Sequence, residues 1–307
     1  MMRLQHIAYT VARALKAARA YSFPASSIPV FVGAAFAGAA DRFDATWLAW
    51  LIITWLGATL LHAGCNLIND YYDWSNEIDD EHVLRSSAVS GDEKVLMQVH
   101  IGGLLCLGLG CSIGMYIALK QHWSIYLIGA IGLVIAYFYT AKPLGLKYRA
   151  LGEVAVFLGM GPLMVAGAYA AARGDWTGPV VQMLLASLLV GLMVTAILYA
   201  NNLRDFFNDS SKGFRTLPML LGAARAPWFY YALVGSAYAV PIAMSVAFTN
   251  LWWLLPILSA PLEAGIVRRV ARGFPSQLQH LLNIDVACAQ VHLAYGLLLI
   301  AAIVMAV

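Results

Sequence analysis

The chain of 307 residues is 61% hydrophobic and only 11% charged, and its formal net charge is +3. Soluble domains carry about 25% charged residues on average, so this composition excludes an ordinary soluble globular protein. The mean hydropathy of +0.73 instead predicts an all-α polytopic membrane protein. The modest net charge gives no sign of nucleic-acid binding.

Nine apolar runs are long enough to cross a bilayer, which requires roughly 17–25 residues. They lie at about 23–40, 46–68, 96–119, 122–140, 151–172, 179–201, 226–248, 250–267 and 285–306. With the N-terminus on the cytoplasmic side, all but three of the 19 Lys and Arg residues fall in cytoplasmic segments, as the positive-inside rule requires. We therefore expect about nine transmembrane helices in a single domain, residues 1–307, with a cytoplasmic N-terminus.

The end of the second run carries four carboxylates within 14 residues, in NLINDYYDWSNEID at 66–79. Acidic side chains this close to hydrocarbon are costly unless something compensates them. A related stretch follows the sixth run, because NDYYDWSNE (69–77) and NNLRDFFND (201–209) share the pattern Asn-x-x-x-Asp-x-x-x-(Glu/Asp). Four spans separate the two stretches, which indicates a weak internal repeat with both copies in the same orientation.

The matched positions define two acidic stripes. They are Asn69, Asp73 and Glu77 in the first stripe and Asn201, Asp205 and Asp209 in the second. Residues four apart share one side of a helix, so each stripe presents an amide and two carboxylates, with Asp70 beside the first. Facing stripes would repel each other without cations between them, and such oxygen donors suit Mg²⁺ completed by substrate phosphates. The alternative, a solvated loop with ordinary surface acids, does not account for the matched spacing.

A metal-bound diphosphate also needs positive charge from the protein. The basic residues predicted on the same side, which are candidates to bind the diphosphate, are Arg85, Lys142, Lys147, Arg149, Arg204, Lys212 and Arg215. Topology alone explains any one of them equally well. Arg204 and Arg215 are favoured because they flank the second stripe, and Arg85 follows the first.

Polar and aromatic residues near the stripes in sequence are candidates to line a substrate cavity. They are Asn66, Asn201, Asn202, Tyr72, Tyr139, Tyr199 and His62. Aromatic faces stabilise carbocations through cation–π attraction, although belt or core packing is the more ordinary role for any single aromatic residue. His62 lies two turns before Asp70, where it either lines the cavity or packs against a neighbouring partner.

Four stretches together resemble the UbiA-type intramembrane prenyltransferases, and most closely the branch that acts on 1,4-dihydroxy-2-naphthoate. In chain order they are RAYSFPASSIPVFVGAAFA, GCNLINDYYDWSNEID, YTAKPLGLKYRALGEVAVFLGMGPLMVAGAY and ILYANNLRDFFNDSSKGFRTLPMLLG. The resemblance covers about residues 19–225. It implies nine helices around a cavity, and two Asp-rich motifs near the cytoplasmic face that bind Mg²⁺ and the diphosphate of a polyprenyl donor.

The resemblance also assigns roles to residues. The central motif positions are Asn69, Asp73, Asp205 and Asp209, and the further acids of the naphthoate branch are Asp70 and Asp79. Glu77 and Asp79 both remain candidates for the third ligand of the first motif, and Phe214 stands where the family has a lysine. We assign catalysis to Asp73, Asp205 and Lys142, which would neutralise the leaving diphosphate together with Mg²⁺.

The function implied is transfer of a polyprenyl group from polyprenyl diphosphate to an aromatic acceptor. With 1,4-dihydroxy-2-naphthoate as acceptor, the reaction belongs to menaquinone biosynthesis in a bacterial inner membrane. The rivals are another reaction of the same type (a 4-hydroxybenzoate, homogentisate or glycerol-lipid acceptor, or cyclisation of the prenyl chain) and a cation transporter or channel. Beyond these substrates and the lipid bilayer, the sequence indicates no particular protein partner.

Overall fold

The computed structural model describes residues 19, 22–40, 43–75, 93–211 and 213–307, with the backbone alone for 73–75 and 93–94. The described residues form an all-α fold. Its helices are α1 (Pro24–Ala40), α2 (Ala45–Ser75), α3 (Glu93–Lys120), α4 (Ser124–Phe138), α5 (Gly152–Arg173), α6 (Val180–Arg204), α7 (Phe206–Ser211), α8 (Leu217–Leu221), α9 (Ala226–Ala247), α10 (Ala260–Gly273) and α11 (Ile284–Ala306). A 3₁₀ segment, Leu251–Ser259, leads into α10, and a second one, Leu278–Leu281, precedes α11.

Each of the nine expected runs contains an apolar helix among the described residues. Seven of these helices are long and apolar enough to cross a membrane: α2, α3, α5, α6, α9, α10 with its 3₁₀ segment, and α11 with the 3₁₀ segment before it. The other two, α1 and α4, have only 17 and 15 residues, about 25 Å or less at 1.5 Å per residue. The prediction of an all-α polytopic membrane protein is confirmed, whereas the count of nine spans and the side of the N-terminus stay predictions.

Helix α1 lies at the centre of the bundle, where it packs against α2, α5, α6 and α11. Apolar residues surround it on every side, and Val30, Val32 and Phe36 are fully buried. A helix that is apolar all round is stable only inside a protein or a membrane. Gly33 allows the close approach of α5, because a Cβ there would overlap the Val165 carbonyl oxygen.

Helix α5 changes its pitch in the middle. Residues Gly159–Leu163 form one π-helical turn that contains Pro162, which cannot donate a backbone hydrogen bond. Gly161 in this turn packs directly on α6, where an added Cβ would lie 2.7 Å from the Cα of Gly191. This close contact sets the position of α6 relative to α5.

The described residues of both acidic stretches lie at the same end of the bundle, which we call the motif end. Helices α2 and α6 finish there, and α5 begins there, because Asn202 of α6 contacts Glu153 in the first turn of α5. Helix α3 begins there as well, since its His100 ring lies 4.1 Å from that of Tyr71 on α2. The segment before α1 also reaches this end, where Arg19 pairs with Asp70.

Candidate active site

The second acidic stripe stays helical through all three of its positions. Helix α6 ends at Arg204, but the backbone N–H of Asp205 still donates to the Asn201 carbonyl (3.0 Å), and that of Asp209 donates to the Asp205 carbonyl (2.9 Å). Asn201, Asp205 and Asp209 therefore follow one another at one-turn spacing on the same side of the chain.

Arg204 holds the first two members of this stripe together. Its Nη2 donates to Asn201 Oδ1 (2.5 Å) and to Asp205 Oδ2 (2.9 Å), and its Nε donates to Asp205 Oδ1 (2.8 Å). Its remaining nitrogen, Nη1, donates to Asp285 Oδ1 at 3.1 Å, at the start of α11. One guanidinium thus compensates two carboxylates and fixes their orientation.

The first stripe begins on the last turns of α2. Asn69 is half-buried, and its Oδ1 accepts a hydrogen bond from the hydroxyl of Thr140 (2.7 Å). An amide oxygen has two lone pairs, so one acceptor position on Asn69 remains for a further partner. Asp70 is buried and accepts a hydrogen bond from Arg19 Nη2 at 2.5 Å. The side chain of Asp73, together with Glu77 and Asp79, lies outside the described residues.

The segment 139–153 runs from the end of α4 into the first turn of α5 and connects the first stripe with the residue next to the second. Its Thr140 bonds to Asn69 of the first stripe, and its buried Glu153 accepts from Asn202 Nδ2 (2.9 Å) beside the second. The backbone of Arg149 pairs with that of Arg215, which follows the second stripe. Since α2 and α6 are distant in sequence, this segment is what brings their polar ends to one place.

The same segment carries three of the predicted phosphate-binding residues. Lys147 lies with its Nζ 5.5 Å from the centre of the Tyr148 ring, and that ring lies 5.1 Å from Phe214. Arg149 donates from Nη2 to the Pro143 carbonyl (3.0 Å). Lys142, Lys147, Arg149, Arg204 and Arg215 therefore all lie on segments that meet at the motif end, whereas Arg85 and Lys212 are outside the described residues.

Two of the predicted cavity residues are engaged in helix packing. Tyr199 is fully buried and donates from its hydroxyl to the Ala226 carbonyl (2.8 Å), which ties α6 to α9. The Nδ1 atom of His62 lies 2.9 Å from the hydroxyl oxygen of Ser26, which ties α2 to α1. His62 therefore has a neighbouring polar partner, and its role in lining a cavity stays a prediction.

The other predicted cavity residues lie near the stripes. Asn66 is buried and donates weakly to Ser22 Oγ (3.4 Å). The Tyr72 ring packs against that of Tyr71 at 5.3 Å, and the Tyr139 carbonyl accepts a hydrogen bond from the backbone N–H of Lys147 (2.9 Å). Their role in lining a substrate cavity stays a prediction.

Two residues at the motif end were not among the site residues predicted from the sequence. Asp285 lies at the start of the last apolar run, far from both motifs in sequence, and an acid in a first helical turn is usually explained by the helix dipole. Arg19 precedes the first run, where anchoring at the membrane interface explains it equally well. Only the tertiary structure shows that Asp285 pairs with Arg204 of the second stretch and that Arg19 pairs with Asp70 beside the first stripe.

The donor atoms present suit Mg²⁺ by their chemistry. Asn69, Asp70, Asn201, Asp205 and Asp209 offer only oxygen, the ligand that this cation prefers. Among the described side chains, no group of three or more Asp, Glu, His or Cys residues gathers closely enough to hold a metal ion by itself. A cation at this end would accordingly draw on amide oxygens or on the motif residues beyond the described part of the chain.

Comparison with known proteins points to one family. A profile of the UbiA prenyltransferase family matches residues 26–281. The UbiA prenyltransferase domain-containing protein 1 of Xenopus tropicalis is 30% identical over 298 residues, which cover 94% of this chain and 81% of that protein. The 1,4-dihydroxy-2-naphthoate octaprenyltransferase of Mycobacterium tuberculosis is 32% identical over 260 residues, covering 82% of this chain and 84% of that enzyme.

Solved structures agree on the fold. A UbiA homolog from Aeropyrum pernix K1 superposes with a TM-score of 0.65 at 19% identity, covering 89% of this chain and 96% of that one. A UbiA homolog from Archaeoglobus fulgidus, bound to GPP and Mg²⁺, superposes with a TM-score of 0.62 at 16% identity, covering 94% and 99%. At these identities the likeness establishes the fold alone.

Proposed function

Because the chain belongs to the UbiA prenyltransferase family, we propose that it transfers a polyprenyl group from polyprenyl diphosphate to an aromatic acceptor, 1,4-dihydroxy-2-naphthoate. Family membership confirms the resemblance inferred from the motifs and makes the protein a membrane-embedded prenyltransferase. The donor, the acceptor, the cation and the residues that act on them are the proposal.

The observation that carries the proposal is the meeting of opposite charges at the motif end. Segment 139–153 contacts Asn69 of the first stripe through Thr140 and Asn202, next to the second stripe, through Glu153. It brings Lys142, Lys147 and Arg149 to the same place. A diphosphate is recognised by such a combination, because cations bridge its oxygens to carboxylates while lysine and arginine contact them directly.

Mg²⁺ would be held by the oxygen donors of the two stripes. These are Asn69, Asp70, Asp73, Glu77 and Asp79 on the first and Asp205 and Asp209 on the second, with Glu77 and Asp79 both candidates for one position. When bound, Mg²⁺ would neutralise the diphosphate and make it a better leaving group. The homolog from Archaeoglobus fulgidus bound to GPP and Mg²⁺ supports this assignment for the shared fold.

The chain's own residues orient the donor and exclude water. Arg204 keeps Asn201 and Asp205 on one side of the helix end, and Thr140 keeps the Asn69 amide in one orientation. Lys142 would contact the departing diphosphate. The surrounding helices keep bulk water from the carbocation that forms when the diphosphate leaves, since water would quench it.

The acceptor is proposed from the Mycobacterium tuberculosis relative, whose name specifies a 1,4-dihydroxy-2-naphthoate octaprenyltransferase. The match covers 82% of this chain and 84% of that relative. With this acceptor, menaquinone biosynthesis in a bacterial inner membrane follows as the setting, with the motif end on the cytoplasmic side.

The test is turnover by the purified full chain in detergent. Polyprenyl diphosphate, MgCl₂ and a panel of acceptors (1,4-dihydroxy-2-naphthoate, 4-hydroxybenzoate, homogentisate and none) are supplied, and products are identified by mass spectrometry. We expect product with the naphthoate, and its loss on adding EDTA and in Asp73→Asn and Asp205→Asn. The matched control is Asp175→Asn, which removes a carboxylate just after the end of α5 opposite the motif end and keeps the oxygen that accepts from the Thr177 backbone N–H.

Each other outcome contradicts a definite part of the proposal. Product with a different acceptor would refute the naphthoate assignment. Consumption of diphosphate without any acceptor would indicate cyclisation. Full activity of both Asp→Asn variants would refute the metal-binding roles of the stripes, and divalent-cation flux in liposomes would revive the transporter alternative.

A further inference from the structure

A lateral groove of about 490 Å³ lies between α9 and α10, apart from every residue assigned to the motif end. Its lining is almost entirely apolar and includes Tyr231, Gly235, Tyr238 and Val267. Two charged side chains also reach it, Glu263 in its wall and Arg268 toward the motif end of α10. We call it the α9–α10 groove.

Glu263 is an unusual residue for the wall of an apolar groove. It is ten residues before the end of α10 at Gly273, about 15 Å along the helix axis, so it lies well inside the span. An ionisable side chain at such a depth is costly and marks a functional site by default. Its burial is nearly complete, with only 4% of its surface exposed.

One oxygen of Glu263 is engaged and the other is accessible. Oε1 accepts a hydrogen bond from the hydroxyl of Tyr230 at 2.7 Å. Oε2 has no partner among the described residues, and it is not one of the fully enclosed atoms that lack a partner. Since Glu263 lines the α9–α10 groove, Oε2 is presented to the groove as a single hydrogen-bonding position on an apolar surface.

A short chain of contacts connects this oxygen with the second stripe. Tyr230, which bonds to Glu263, also contacts Cys288 Sγ on α11 at 3.6 Å. Cys288 follows Asp285 by three residues, about one helical turn, and Asp285 holds Arg204. At the end of α10, the Phe274 ring packs against Phe206, the residue after Asp205, at 5.2 Å. The groove is therefore linked to the second stripe through Tyr230, Cys288 and the first turns of α11.

We propose that the α9–α10 groove binds a prenylated aromatic alcohol, a molecule with an apolar chain and a phenolic hydroxyl that bonds to Glu263 Oε2. The apolar lining suits the prenyl chain, and one acceptor oxygen suits one O–H donor, because an unpaired polar group in either partner would be costly. The ligand's identity rests on the proposed function, whose product is a molecule of this class. The groove is then a site where product resides on its way to the bilayer.

The alternative is a purely structural role, in which Glu263 only accepts the hydrogen bond from Tyr230. That role uses Oε1 and leaves the α9–α10 groove to ordinary lipid chains. The two interpretations differ in whether a hydroxyl group on the ligand matters, and in whether filling the groove displaces that ligand in preference to any other apolar molecule.

Glycines supply a matched pair of variants for this test. A Cβ added at Gly235, which lines the groove, meets nothing within 4 Å, and the same holds for Gly265 on α10, which does not line it. Gly235→Leu therefore fills the groove without a clash in the protein, and Gly265→Leu makes the same change elsewhere. Both replacements favour the helix, since glycine is a poor helix former.

The experiment is photo-crosslinking of the purified full chain in detergent, without any diphosphate donor. The probe is a short-chain prenylated hydroquinone with a diazirine on its chain, and the competitors are the unlabelled hydroquinone and its dimethyl ether. We expect crosslinks on α9 and α10, reduced at least tenfold in Gly235→Leu and less than twofold in Gly265→Leu. The hydroquinone should compete about tenfold better than the ether, the value of one hydrogen bond.

Glu263→Gln separates the two roles of the carboxyl group. Its amide oxygen still accepts from Tyr230, while an amide nitrogen replaces Oε2 and cannot accept a hydroxyl proton. The preference for hydroquinone over ether should therefore vanish in this variant and persist in Ser259→Ala, which instead disrupts the nearby Tyr238–Ser259 hydrogen bond.

Equal labelling of the two glycine variants, or equal competition by hydroquinone and ether in the unmodified chain, would overturn the proposal. Because no donor is present, these results do not depend on turnover. If turnover is intact but the two glycine variants are labelled equally, only the proposed binding site in the groove is refuted. Groove-dependent labelling with no turnover on any aromatic acceptor refutes the proposed function and leaves the binding site standing.

Discussion

The contact between Arg204 and Asp285 gives the sharpest test of how the second stripe is held in place. Among the described residues, Asp285 is the one side-chain partner of Arg204 that comes from outside the second stretch, at 3.1 Å. Replacing it with asparagine keeps the shape of the side chain and removes the charge. The other bonds of Arg204, to Asn201 and Asp205, then no longer compete with a second carboxylate, and the guanidinium can move along the helix end.

The expected size of the effect follows from burial. The Arg204 and Asp285 side chains are 26% and 19% exposed, between a surface pair worth about 0–1 kcal/mol and a buried pair whose disruption costs about 3–5 kcal/mol. We therefore expect the loss of the Arg204–Asp285 interaction to cost about 1–2 kcal/mol, which corresponds to a fall of about 5- to 30-fold in kcat/KM for the diphosphate donor.

The assay is a double-mutant cycle on kcat/KM with Asp285→Asn, Arg204→Gln and the double variant. Asp285 also stabilises the N-terminus of α11 through the helix dipole, by about 0.3–1 kcal/mol, and the cycle subtracts this contribution because it is present in both backgrounds. If Asp285 acts through Arg204, Asp285→Asn costs 5- to 30-fold in the unmodified chain and about twofold or less beside Arg204→Gln. Equal factors in the two backgrounds would show that the 3.1 Å contact has no part in donor binding.

Two further changes test the first stripe and the central helix. Thr140→Val removes the hydroxyl that orients Asn69, so the Mg²⁺ concentration for half-maximal turnover should rise about fivefold, as expected for the loss of about 1 kcal/mol. Thr140→Ser keeps a hydroxyl and should restore the original Mg²⁺ dependence. An unchanged Mg²⁺ dependence in Thr140→Val would show that the orientation of Asn69 has no part in metal binding. Gly33→Ala should lower the apparent Tm in detergent by about 5 °C or more, because α1 and α5 must move apart at Val165 to relieve overpacking. Gly114→Ala, where a Cβ meets nothing within 4 Å, should leave the Tm unchanged or raise it.

The membrane class and the order of helices could be predicted because hydropathy reports burial in lipid directly. Helix limits were less predictable where polar residues continue a helix. The second run was expected to finish near residue 68, but α2 continues to Ser75. The helix continues because its backbone hydrogen bonds do not depend on the side chains being apolar. The eighth run is not one α-helix, because Leu251–Ser259 is a 3₁₀ segment containing Pro256 and proline cannot donate within an α-helix.

The acidic stripes could be located from sequence because their spacing is local. The regular interval of four residues places Asn201, Asp205 and Asp209 on one side whatever the rest of the chain does. Their partners could not be predicted in the same way. Glu153, Asp285 and Arg19 reach Asn202, Arg204 and Asp70, the neighbours of the stripes, through tertiary packing. Sequence separation carries no information about which helix ends meet.

The free-energy cost of placing acidic side chains at the end of a membrane helix is offset differently in the two acidic stretches. Asp205 is compensated locally, because Arg204 is its neighbour in sequence and both oxygens of Asp205 are bonded to it. Asp70 is compensated by Arg19, 51 residues earlier, before α1 begins. The second stripe can therefore form as soon as the end of α6 is helical, whereas the arrangement at Asp70 requires the segment before α1 to reach α2. Pairing of Asp70 thus depends on α1 taking its central place in the bundle, which joins the packing of the core to the geometry of the first stripe.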